Sequence, residues 1–182
     1  MKRRATSTVS SSRKTGSGVL ELARAYYNMQ HGSEFVIEVD ESNFTCWHVG
    51  IPAATLTLPS LKRDLATWAS KARQPAVVQL EIQFSEDFPS SVPYVRVVRP
   101  RFKWRTGHVT IGGSFCTELL TNQGWHEMTV DGLLRTIIVM LHDGGAQIQL
   151  APDEHCLFPL VDYSPEEASV AYQRAKTVHG WK

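Results

Sequence analysis

No run of about 18 apolar residues occurs in the chain, so a membrane-spanning helix is not expected. The N-terminal stretch has no apolar centre of the kind a secretory signal carries, which argues against export. Cysteine is scarce. Three residues, an odd number with no Cys-x-x-Cys pair, do not make a disulfide framework and suit a reducing compartment, so a cytoplasmic or nuclear location is expected. Cys46 and Cys156 read as structural, and Cys46-Trp47-His48 lacks the second ligand pair that would make it a strong zinc signal. Gly16-Ser17-Gly18 has no Gly-Lys-Ser/Thr after it and is not a phosphate loop. Net charge is only +1, and neither nucleic acid nor membrane is expected as a partner.

What is present suits one domain with a real core: 182 residues, 42% hydrophobic and 20% charged. Residues 1–18 are rich in Ser, Thr, Arg and Gly with almost nothing apolar, which cannot offset the entropy of ordering, so a disordered basic tail is expected there. A nuclear-import signal or an organellar presequence is an alternative use of the same composition. Lys2, Arg3, Arg4, Arg13 and Lys14 all lie in that tail, so the domain expected over residues 19–182 is mildly acidic.

Periodicity predicts the elements of that domain. Val19, Leu22, Ala23 and Tyr26 recur at helical spacing up to a stop at His31-Gly32. Residues 34–39 and 45–51 alternate charged and apolar residues around the turn-forming Asp40-Glu41-Ser42-Asn43, which predicts an antiparallel hairpin. Leu61, Leu65 and Trp68 mark a second helix over 59–72, followed by strands over 76–84 and 94–98. Between those strands Pro89 and Pro93 make a stiff turn. Thr129 is positioned to cap a helix with a broad apolar stripe, Val130, Leu133, Leu134, Ile137, Ile138 and Leu141, that stops at Asp143-Gly144-Gly145. Ser164-Pro165-Glu166-Glu167 opens a last helix with a capping box, and Gly180 is placed to end it and fold Trp181 back.

One stretch carries chemistry. Phe88-Pro89-Ser90-Ser91-Val92-Pro93-Tyr94 leads to Gly112-Gly113-Ser114-Phe115-Cys116-Thr117-Glu118-Leu119-Leu120 and then to Gln123-Gly124-Trp125. A cysteine alone is more often a small buried hydrophobe than a nucleophile, yet this order of parts resembles the ubiquitin-conjugating enzyme family, over roughly residues 19–182. In that family a Tyr/Phe-Pro-x-x-x-Pro turn follows the third strand, and the acceptor Cys precedes an acidic-Leu-Leu segment and a Trp. The extra Gly before Trp125 is similar to the Q-type branch. That branch also lacks the His-Pro-Asn that ordinary members place before the Cys, and here the approach reads Arg105-Thr106-Gly107-His108-Val109-Thr110.

The resemblance implies an α+β fold with an N-terminal helix, a four-stranded antiparallel meander, a catalytic Cys loop and at least two C-terminal helices. It implies thioester exchange on Cys116, with ubiquitin or a ubiquitin-like modifier, an activating enzyme, a ligase and a protein substrate as partners, and no metal or organic cofactor. The activating enzyme would dock on the first helix, and the ligase near Phe88, Pro89, Pro93, Trp125 and His126. The oxyanion of acyl transfer requires hydrogen-bond donors. With no Asn present, His108, eight residues before the Cys, is the candidate side chain, and Gly112 and Gly113 are candidates for backbone amides. An acidic residue after the capped helix would assist proton removal, with Asp143, Asp153 and Glu154 available; at Asp143 a negative charge opposes the helix dipole, which favours a functional role. Two other readings stand beside this one: a catalytically inert member of the same fold that binds ubiquitin or a ligase, and a papain-like hydrolase, for which no Cys/His/Asn signature is present.

Overall fold

Alternation of side chains along four short segments builds the centre of the protein. The computed structural model describes residues 15–30, 32–40 and 42–181. Strands β1 (Val36–Asp40), β2 (Asn43–Pro52), β3 (Val77–Gln83) and β4 (Tyr94–Arg99) form one antiparallel sheet in the order β1-β2-β3-β4. Trp47, Val49 and Ile51 of β2, Val78, Leu80 and Ile82 of β3, and Val95 and Val97 of β4 share the buried inner face. Helix α1 (Thr15–Gln30) precedes the sheet, α2 (Pro59–Ala72) lies between β2 and β3, and α3 (Val130–Asp143) and α4 (Pro165–His179) follow it.

Helix α3 completes the core with the predicted stripe. Val130, Leu133, Leu134, Ile137, Ile138 and Leu141 are all buried, and the Thr129 hydroxyl accepts from Gly132 N. At about 1.5–3 kcal/mol for each large apolar side chain buried, this helix is held by packing. Helix α2 is anchored similarly by Leu61, Leu65 and Trp68.

Helix α4 differs, because its buried residues are the small Ala168 and Ala175. Its seat depends on polar ties and close backbone approach. The Ser164 capping box is present, and Gly180, at φ 68°, ends the helix. Arg101 binds Glu167 at 2.9 Å and lies over the Tyr163 ring, and Tyr172 meets Tyr94 of β4 edge to face. Arg96 and Glu81, 4% and 9% exposed, form a two-pronged ion pair (3.0 and 2.6 Å) on the outer face of the sheet. Arg96 also donates to Tyr163 O, just ahead of α4.

The expected tail boundary needs correction. Residues 1–14 lie outside the described residues, but α1 begins at Thr15, so 15–18 belong to the domain. A Cβ at Gly18 would lie 2.1 Å from Glu86 O, so the glycine lets α1 approach the loop after β3. No helix among the described residues is long and apolar enough to cross a membrane.

Candidate active site

The segment leading to Cys116 is a tight hairpin laid along β4. Cys116 N donates to His108 O at 2.7 Å, Thr110 N to Ser114 O at 2.8 Å, and Val97 N of β4 to Gly113 O at 2.8 Å. Gly113, at φ 93°, turns the chain, and its own N–H donates to Thr110 O. A Cβ there would lie 2.7 Å from the Tyr163 ring, and one at Gly112 would lie 2.2 Å from Glu167 O in the first turn of α4. Both glycines thus seat α4, and the Gly113 amide is already engaged within the turn. After the cysteine, Thr117 accepts from Leu119 N to start a one-turn helix at Glu118–Leu120.

The close approach of α4 brings its last turn back to the thiol. Cys116 Sγ lies 3.4 Å from His179 Nε2, a contact spanning 63 residues of sequence. Trp181 stacks on the His179 ring at 4.7 Å with an 18° interplanar angle, and its N–H donates to Lys176 O. The fold-back of Trp181 past Gly180 therefore supports the imidazole. Burial pushes the Cys116 thiol above its ordinary value. A thiol so placed is protonated at neutral pH and needs a proton acceptor to react as thiolate.

Cys116 and His179 both line an open groove of about 990 Å³ between α4 and the loop over residues 101–112. Ile111 and Trp104 on one side and Val170 and Val178 on the other give it an apolar surface. Arg105, stacked over Trp104, and Arg174 add positive charge.

His108 lines the same groove, but its ring makes no hydrogen bond to a described residue. Its backbone has φ 57°, and a Cβ on Gly144 would lie 2.8 Å from His108 Cδ2, so the ring rests against the end of α3. The imidazole bonded to the thiol is that of His179, which is not among the residues expected from sequence. Asp143 is exposed at the end of α3 and does not line the groove. Asp153 accepts from the backbone of His155 and Cys156 in a turn, and Glu154 pairs with His155 at 3.5 Å. The carboxylates that do line the groove belong to α4, Glu166 and Glu167.

The expected ligase surface is also revised. Phe88, 2% exposed, packs on Phe84 and Trp125, and Pro93 is buried, so both are core residues. Trp125 Nε1 donates to Pro89 O at 2.8 Å, which ties the two loops together with both residues half-buried. His126 is exposed beside them.

No protein-family model matches the chain. It is 34% identical over 112 residues to a human Q-like ubiquitin-conjugating enzyme protein, Q-like protein 1, covering 60% of this chain and 63% of that protein. It is 27% identical over 154 residues to human ubiquitin-conjugating enzyme E2 Q1, covering 82% of this chain and 34% of that protein. The chain thus spans less than two thirds of the length of either relative. Among solved structures, a ubiquitin conjugating enzyme E2 from Plasmodium falciparum aligns with a TM-score of 0.51 at 19% identity, covering 77% of this chain and 95% of that one. Human ubiquitin-conjugating enzyme E2 G1 aligns with a TM-score of 0.51 at 20% identity, covering 69% and 95%. At these identities the two structures speak to the fold alone. The chain thus has the UBC fold, and its sequence similarity lies with the Q1 and Q-like ubiquitin-conjugating enzyme proteins.

Proposed function

We propose that this protein is an active conjugating enzyme that accepts ubiquitin or a ubiquitin-like modifier as a thioester on Cys116 and passes it to a protein acceptor. The observation that carries the reading is the 3.4 Å contact between Cys116 Sγ and His179 Nε2, beside a groove open to an acyl chain. In charging, the thiol proton moves to His179 Nε2 and the sulfur attacks the modifier's C-terminal carbonyl. The activating enzyme's thiolate then leaves and takes the proton from the imidazolium. In discharge, an acceptor amine attacks the thioester, its proton passes to His179, and Cys116 leaves as a thiolate that the imidazolium reprotonates.

Because burial raises the Cys116 thiol, the thiolate is a poorer leaving group than an ordinary one, and a proton held nearby lowers the barrier to its departure. Stacking by Trp181 limits the rotation of His179 and keeps Nε2 toward the sulfur. Activating enzyme would dock on α1, whose Val19, Leu20 and Tyr27 are exposed, and a ligase on the loop around His126.

The test is incubation with activating enzyme, ATP and ubiquitin. We expect an adduct that thiol reductant removes and that Cys116→Ala does not form. An adduct that persists in that variant would place the acceptor elsewhere. Wild-type protein that binds ubiquitin and never forms an adduct would establish the inert reading instead.

A further inference from the structure

Cys46 and His48 stand two residues apart on β2, so their side chains leave the same outer face of the sheet. The ladder to β3 sets Glu81 directly opposite His48. The sulfur, an imidazole nitrogen and a carboxylate oxygen of these three residues all lie within 4.8 Å of one another. The sequence offers only the Cys-x-His pair, and the third donor arrives through strand register. We propose that Cys46, His48 and Glu81 form a zinc-type cation site with a fourth position open to water, distinct from the groove at Cys116.

The donor set suits that ion class. A thiolate with an imidazole selects zinc over calcium or magnesium, and three protein ligands plus water is a recurrent open zinc arrangement. Donors bonded to one tetrahedral zinc at about 2.0–2.3 Å stand roughly 3.4–3.7 Å apart, so side-chain adjustments of about 1 Å close the cluster. Glu81 accepts from Arg96 Nε and Nη2 and from Gln83 Nε2. A carboxylate has about four acceptor positions, so one remains for the ion. Arg96 and Gln83 then act as the outer partners that hold a ligating carboxylate in orientation. The Arg96 charge weakens Glu81 as a donor, which leaves Cys46 and His48 as the ligands that dominate affinity. Bound metal would bridge β2 to β3 on the face opposite the core.

The experiment must separate this cluster from the other thiol–imidazole pair, Cys116 with His179. The full chain, stripped of metal with chelator and kept reduced, is titrated with Co²⁺ and read by its thiolate-to-cobalt absorption, then with Zn²⁺ to displace the cobalt. We expect a thiolate band that Zn²⁺ abolishes, that Cys46→Ser lacks, and that Cys116→Ser and Cys156→Ser retain. His48→Ala keeps the thiol and should weaken Co²⁺ binding at least tenfold, which guards against a Cys46→Ser variant that fails to fold. The proposal is overturned by the absence of any band in the wild type, by a band that disappears with Cys116 or Cys156 instead, or by unchanged affinity in His48→Ala.

Discussion

Replacing Gly112 by Ala tests whether α4 is seated as the structure describes. The new methyl carbon would lie 2.2 Å from Glu167 O, 2.7 Å from Glu167 C and 2.8 Å from Ala171 Cβ. Ordinary contacts fall at about 3.5–4.0 Å, so hairpin and helix must separate by roughly 1 Å. The obstacle is mainly backbone, and no rotamer change relieves it. Overpacking of this kind costs about 1–3 kcal/mol. For a chain of this length each kcal/mol lowers Tm by about 2–4 °C, which gives an expected drop of roughly 2–12 °C. His179 lies twelve residues beyond Glu167, about 18 Å along a rigid helix, so a displaced first turn carries the imidazole with it. A misplacement of about 1 Å can reduce a rate about a hundredfold. Thermal melting and single-turnover discharge of the loaded thioester are the paired assays. A Tm within about 1 °C of wild type, with discharge within about twofold, would refute the seating of α4 on Gly112.

Three further outcomes are expected. Ser164→Ala removes the α4 cap and should cost about 1 kcal/mol in a denaturant melt, and an unchanged midpoint would contradict the capping role. The Arg96 hydrogen bonds hold Glu81 below the usual carboxylate range, so its stabilising contribution is full above the unfolded value of about 4.3 and is lost as pH falls through the lower folded value. Arg96→Met should therefore destabilise by about 3–5 kcal/mol at neutral pH and by less once Glu81 is protonated in acid, and a pH-independent difference would contradict it. The Cys116 thiol, raised by burial, should be alkylated with a pH midpoint above that of an ordinary cysteine in a small peptide measured alongside it, and a midpoint below the peptide's would contradict the desolvated environment.

Local signals carry most of the fold. Ser164, Pro165, Glu167 and Gly180 act where they stand in sequence, and each is found in its expected role at the ends of α4. The α3 stripe and its Thr129 cap are legible for the same reason, since a helix states its buried face at its own period. Gly18 is different, because a glycine that permits close packing resembles a glycine in a tail; the distinction lies in Glu86 and Phe88, far along the chain. Gly112 and Gly113 pose the same problem, since their need for space is set by Glu167 and Tyr163. Spacing does not place His179 beside Cys116, because that contact depends on how α4 seats against the hairpin at Gly112 and Gly113. The one available signal is His179-Gly180-Trp181, an imidazole next to a left-handed turn and an aromatic that folds back. Resemblance puts Phe88 and Pro93 on a surface, while aromatic packing draws Phe88 into the core.

If His179 moves the proton for acyl transfer on Cys116, single-turnover discharge of preformed thioester to an amine acceptor should depend on its imidazole. Loss of a positioned general acid–base group typically lowers a rate about 10²–10⁴-fold. His179→Gln should fall in that range at neutral pH and recover partly as pH rises, while His108→Ala, which removes a ring that makes no hydrogen bond to a described residue, should discharge within about tenfold of wild type. A His179→Gln protein that charges and discharges within about twofold of wild type, or a larger loss in His108→Ala than in His179→Gln, would rule out His179 as the proton carrier.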